Sequence, residues 1–150
     1  MPARQHQPVT QASAAEYQNQ AAPPLTKAVT AVAPALFTLN YTGRGQAAAL
    51  NPNQLPNGPG NPATPGWNLT LFATGMGQTS PPSGDGVVAT QPPPVAGQPV
   101  TVTIGGVKAT LVSATAVVGQ AWGLMEITVA VTFQSPASRR PPASGVAISQ

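Results

Sequence analysis

Short apolar runs rich in β-branched residues, each bounded by glycine or proline, are the feature that most constrains the fold of this chain. Runs at 67–74, 100–104, 107–116 and 123–133 have the length of β-strands. Gly105 and Gly106 separate two of them, which is the spacing of a two-residue hairpin turn. No segment shows the 3.6-residue apolar period of an amphipathic helix. The sequence therefore predicts an all-β fold.

The strand pattern predicts an antiparallel sandwich of about seven to eight strands. Besides the four runs above, it places shorter strands at 25–33, 36–41, 46–50 and 145–150. Segments 51–65, 78–99 and 135–144 are predicted as loops because proline, glycine, asparagine and serine are frequent in them. We thus expect two parts, an extended N-terminal arm at 1–24 and a sandwich domain at 25–150.

Composition excludes several classes of function. Apolar residues form 41% of the chain, enough for a core, whereas charged residues form only 6% and the net charge is +3. The six basic residues are scattered, so we expect no nucleic-acid surface, which needs several on one face. Without cysteine there is no disulfide and no thiolate metal site. No apolar run reaches the roughly 18 residues of a membrane-spanning helix, so no span is predicted.

The polar N-terminal arm carries too little apolar surface to order itself in isolation. Val9 and Tyr17 are its only large apolar side chains after the initiator region, and Leu25 follows directly behind it. We therefore expect that a partner subunit orders the arm, with Val9, Tyr17 and Leu25 at the interface.

A series of motifs resembles a known domain family. They are 34–38 (PALFT), 43–51 (GRGQAAALN), 61–66 (NPATPG), 73–79 (ATGMGQT), 100–106 and 123–127 (GLMEI). Their order is similar to that of the uncharacterised domain found at the C-termini of secreted acidobacterial proteins, over about residues 25 to 133.

The resemblance implies an exported, Ig-like or TIG-like β-sandwich without established enzymatic activity, cofactor or catalytic residues. Family members usually continue through another glycine-rich turn and a final strand. In this chain 146–150 is the last extended piece. We therefore expect a sheet edge and a strip of core that the chain itself leaves open.

Residues that could perform chemistry are few and dispersed. The single histidine, His6, lies in the arm, and the three acids are Glu16, Asp85 and Glu126. A hydrolase needs two facing carboxylates, and a calcium site needs six to eight oxygens. Neither set is present in the pattern, so we expect no enzyme, no metal site and no cofactor.

For Glu126 we consider one specific chemical role. It lies inside a predicted strand and could serve as the acid of a Lys–Asn isopeptide crosslink, with Lys27 or Lys108 as the amine. Such a crosslink requires a buried lysine, whereas lysines are usually solvated.

These observations favour a non-enzymatic structural subunit of an extracellular, pilus-like filament, a homopolymer built head-to-tail by strand donation. The donor is the arm or, alternatively, the C-terminal segment 144–150. The second hypothesis is a monomeric cell-surface Ig-like module for adhesion or for binding a surface glycan.

Overall fold

The computed structural model describes residues 9–84, 86–132 and 146–149. Every regular element in these ranges is a β-strand, and all strand pairs are antiparallel, as the sequence predicts. None of the described residues belongs to a helix that could cross a membrane. The strands are β1 (Val9–Ser13), β2 (Glu16–Tyr17), β3 (Gln20–Ala21), β4 (Leu25–Val29), β5 (Ala35–Leu36), β6 (Ala49–Leu50), β7 (Asn68–Thr74), β8 (Thr79–Ser80), β9 (Val95–Ala96), β10 (Thr101–Ile104), β11 (Val107–Lys108), β12 (Thr110–Ala116), β13 (Met125–Ala130) and β14 (Val146–Ser149).

The chain divides into two compact units, Met1–Ala31 and Val32–Gln150. In the first, β1 pairs with β4 from Val9 opposite Val29 to Ser13 opposite Leu25. Between them β2 and β3 form a smaller hairpin, whose turn residues Gln18 and Asn19 have φ of 50° and 59°. Such left-handed pairs match the twist of a two-residue hairpin. We call the segment from β1 to β4 the ribbon.

The second unit is built on a large antiparallel sheet in the order β5-β7-β13-β12-β9-β8. Its two longest neighbours, β7 and β13, pair over six positions from Asn68 opposite Ala130 to Ala73 opposite Met125. Two strands pair with the edge of β7 that is opposite β13. β5 pairs with the end of β7, and β6 pairs with its middle. We call this seven-stranded sheet, which includes β6, the main sheet.

A smaller sheet, in the order β11-β10-β14, completes a sandwich-like unit. The buried Val102 of β10 belongs to the same apolar cluster as Leu71 of β7 and Ile127 of β13. Along β13, buried and half-buried residues alternate strictly, as expected for a strand with one face on a core. The inner face of the main sheet therefore carries the core.

Glycine determines the backbone at two places, and the first is the hairpin turn that the sequence predicts. Gly105 and Gly106 have φ of 59° and 83° and connect β10 to β11 as a hairpin. Gly75, with φ of 72°, ends β7 where its carbonyl accepts a hydrogen bond from the Ala33 amide at 2.9 Å. A Cβ on Gly75 would collide with the Ala33 carbonyl oxygen, so this crossing of two backbones requires glycine.

The loop after β6 is fixed by a buried side chain. Asn51 is 1% exposed; its Nδ2 donates to the Asn61 carbonyl at 2.8 Å, and its Oδ1 accepts from Asn57 Nδ2 at 3.1 Å. A buried amide with donor and acceptor both paired holds the loop without regular structure.

Several predicted boundaries differ from those observed. The predicted strand 25–33 is shortened to β4 and lies in the first unit, so the division follows Ala31 instead of Pro24. The reason is its pairing with β1. The prediction that 78–99 is only a loop is wrong, because β8 and β9 pair there. The predicted strand 107–116 is interrupted at Ala109, where the buried chain passes from the small sheet to the main sheet.

Candidate functional site

An open stretch of strand edge lies on the main sheet. β12 pairs with β13 from Thr110 to Ala116, but on its other side it meets β9 only at Thr115, opposite Val95. Among the described residues no other strand pairs with the part of β12 from 110 to 114. We call this part the acceptor edge. The backbone amides and carbonyls of an unpaired strand edge can bind another strand.

The acceptor edge is apolar and uncharged. Leu111 is 39% exposed and Val112 is 55% exposed. Val112 lies where the β12–β13 register shifts between Leu111 and Ser113, so it has no partner on β13. Natural edges are usually protected by lysine, proline or inward charges, and 110–114 contains none of these. This edge therefore favours pairing.

The ribbon is the second element of the candidate site. Every described side chain from Ala12 to Ala31 is exposed. Leu25 is 61% exposed and Val29 is 43% exposed. An isolated two-stranded hairpin is marginally stable in water and needs a further strand or an apolar surface. Within the part of the chain that the structure describes, no further strand pairs with the ribbon, and Leu25 and Val29 are exposed.

The three predicted interface residues all lie in the ribbon. Tyr17, 77% exposed, sits in the small hairpin at the closed end, where its hydroxyl accepts a long hydrogen bond of 3.4 Å from Gln18 Nε2. Leu25 begins β4, and Val9 begins β1 opposite Val29. They are spread over the ribbon and do not form one cluster.

The predicted crosslink residues lie on three different strands. Glu126 is half-buried on β13, between Phe72 of β7 and Thr115 of β12. Lys27 on β4 and Lys108 on β11 are both exposed. Because an isopeptide bond requires a buried amine, these surroundings do not favour the crosslink.

The C-terminal segment, predicted as the alternative donor, pairs within its own unit. β14 lies antiparallel to β10, from Val146 opposite Ile104 to Ser149 opposite Thr101. This strand is therefore already part of the small sheet.

A cavity of ≈ 320 Å³ lies beside β5. It is lined by the start of β5, by Gly43 and Gly45, and by Ile148 of β14. Tyr41, in the same loop as the two glycines, is 96% exposed and has φ of 59°. An exposed aromatic ring is a feature of many ligand-binding surfaces.

The described ranges were also searched for residues that could hold a metal ion. They contain no group of three or more histidine, cysteine, aspartate or glutamate residues that could hold a metal ion. His6 and Asp85 lie outside these ranges.

Sequence patterns alone do not single out Leu111 and Val112 as site residues. Their signal is a pair of adjacent large apolar residues, which breaks the alternation of a strand with one buried face. That break marks the bulge and the exposed edge, but the same pattern is also typical of a strand buried on both faces.

Comparisons with protein-family models, with curated proteins and with solved structures gave no match.

Proposed function

We propose that this protein is a non-enzymatic structural subunit of an extracellular filament, in which the ribbon of one copy pairs with the acceptor edge of the next. The observation that carries the proposal is the coexistence of an exposed, uncharged strand edge and an exposed β-ribbon in one chain.

Physical matching supports this pairing. The acceptor edge spans five residues, 110 to 114, and β1 and β4 are each five residues long. Adding a strand to an open edge satisfies backbone hydrogen bonds along its length. It also covers part of the exposed apolar surface of Leu111 and Val112.

Directionality supports a filament. The ribbon and the acceptor edge are different surfaces of the same chain, so their contact is head-to-tail. A head-to-tail contact that does not close into a ring continues as a helical polymer. The extracellular location rests on the resemblance to domains of secreted proteins.

Removal of residues 1–31 tests the proposal. We expect the full chain to form filaments in electron micrographs, and the truncated chain to remain a monomer by light scattering. Circular dichroism and unfolding of the truncated chain are the control, since the second unit has its own core. Filaments of unchanged abundance after truncation would refute ribbon donation.

A second function is favoured by Tyr41. Its ring is 96% exposed, which suits a monomeric surface module that stacks on a glycan. A full chain that stays monomeric at high concentration, and that binds an oligosaccharide array through Tyr41, would favour this alternative over the filament.

A further inference from the structure

We propose that β4, and not β1, is the strand that joins the acceptor edge, with Lys27 placed on the sheet face that carries Glu126 of the neighbouring copy. This inference rests on the proposed function and specifies which strand is donated and which face it presents.

Among the described residues, the charges of the first unit are Glu16 and Lys27, and those of the second unit are Arg44, Lys108 and Glu126. Lys27 is the one basic residue within 9–31. Glu126 is the one acidic residue among the described positions of the second unit. In a chain with so few charges, a single attractive pair distinguishes one arrangement of strands from another.

Strand pairing assigns Glu126 to the outer face of the main sheet. Its neighbours across β13 are Phe72 and Thr115, whereas the next residue, Ile127, is fully buried in the core. Ser113 pairs with Thr128 and therefore shares the outer face with Glu126. A residue beside Ser113 on an added strand lies close to the carboxylate.

The alternation of side chains along β4 then determines which face of β4 continues the outer face of the main sheet. Leu25, Lys27 and Val29 share one face of the strand, and Thr26 and Ala28 share the other. Turning Lys27 towards the core would bury an unpaired charge, which is costly. The face with Lys27 therefore continues the outer face, and Thr26 and Ala28 continue the inner one beside Leu111.

The distance is compatible with an ion pair. Strands lie about 4.8 Å apart, so β4 added to β12 lies two spacings from β13. With Lys27 beside Ser113, one two-residue step from Thr115, the Cα atoms of Lys27 and Glu126 are about 12 Å apart. Extended lysine and glutamate side chains span this separation along the sheet surface.

The difference in charged residues between β1 and β4 identifies which of the two strands is donated. β1 (VTQAS) has no charged residue, whereas β4 (LTKAV) has Lys27 at its centre. Leu25 and Val29, both exposed, flank that lysine. Only β4 offers the acceptor edge a partner for Glu126.

Charge reversal in full-length chains tests the inference. Lys27→Glu and Glu126→Lys are each expected to raise the concentration needed for assembly by about tenfold or more, since like charges then meet at every junction. A 1:1 mixture of the two variants is expected to assemble within about threefold of the wild-type concentration, because every contact between unlike copies is again complementary. Arg44→Glu, an exposed loop charge, is the matched control and is expected to assemble normally.

The outcomes separate the two proposals. Absence of assembly by the wild-type chain refutes the proposed function itself. Normal assembly of both single reversals leaves the filament in place and refutes the Lys27–Glu126 contact. Recovery in the double variant K27E/E126K, but not in the mixture, refutes contact between copies and shows an intrachain pair. Unchanged unfolding midpoints of the single variants establish that any loss of assembly does not come from misfolding.

Discussion

Gly75 illustrates how one residue controls the path of a whole strand. It combines a left-handed φ of 72° with a backbone approach that leaves no room for a Cβ. The hydrogen bond from the Ala33 amide to its carbonyl anchors the entry of the chain into β5 against the end of β7. The order of the first strands in the main sheet therefore depends on this glycine.

We predict that Gly75→Ala lowers the free energy of unfolding by about 3 kcal/mol or more, because strain at positive φ adds to a backbone clash. Gly43→Ala is the matched control, since Gly43 has φ of 73° and a Cβ added there would meet nothing within 4 Å. Strain alone should cost it about 1–2 kcal/mol. Urea unfolding measures the free energy of unfolding of both variants. Equal losses in the two variants would contradict the role of the close backbone approach at Gly75.

At the scale of elements, β12 combines two opposing tendencies. Its pairing with β13 holds it in the main sheet, and its bulge and missing neighbour leave Leu111 and Val112 in solvent. A bulge often protects an edge by twisting it, but here no charge reinforces that protection. The same local irregularity thus leaves the edge open to a partner.

We predict that Val112→Lys blocks assembly while leaving the fold stable, because Val112 is already exposed and a lysine protects strand edges. The expected rise in the assembly concentration is about tenfold or more, equivalent to about 1.4 kcal/mol per junction. Val118→Lys, at a similarly exposed turn position, is the control and should leave assembly unchanged. Light scattering as a function of protein concentration measures the assembly concentration of both variants. Equal assembly concentrations would show that β12 is not part of the interface.

Much of the main sheet was predictable because local pattern and tertiary burial agree there. The apolar runs at 67–74 and 123–133 predicted β7 and β13, and the glycine pair predicted the β10–β11 turn. Trp67 is the exception, since it precedes β7 and is 39% exposed.

The remaining elements depend on pairings that local sequence does not encode. β8 and β9 are two residues each and exist only because they pair with each other and, through Val95, with β12. β1 lacks apolar alternation and becomes a strand by pairing with β4. The sequence led us to expect an open sheet edge, but the position of the candidate edge on β12 follows from the sheet order alone.

At the scale of the whole molecule, the two units differ in the source of their stability. The second unit has an apolar core, whereas the side chains from Ala12 to Ala31 in the first are all exposed. We predict that the proposed association stabilises the first unit, so that its ordering rises with concentration. The scarcity of charge, 6% of residues, also removes the repulsion that keeps most proteins apart.

Amide hydrogen exchange across the acceptor edge tests the central claim most directly. Above the assembly concentration, we predict slower exchange of amides within 110–114 than below it, because a donated strand supplies their missing partners. Strand β13, paired on both sides in the monomer, should exchange slowly at both concentrations, and a chain lacking residues 1–31 should show no concentration effect. Unchanged exchange of 110–114 in assembled material would contradict the account.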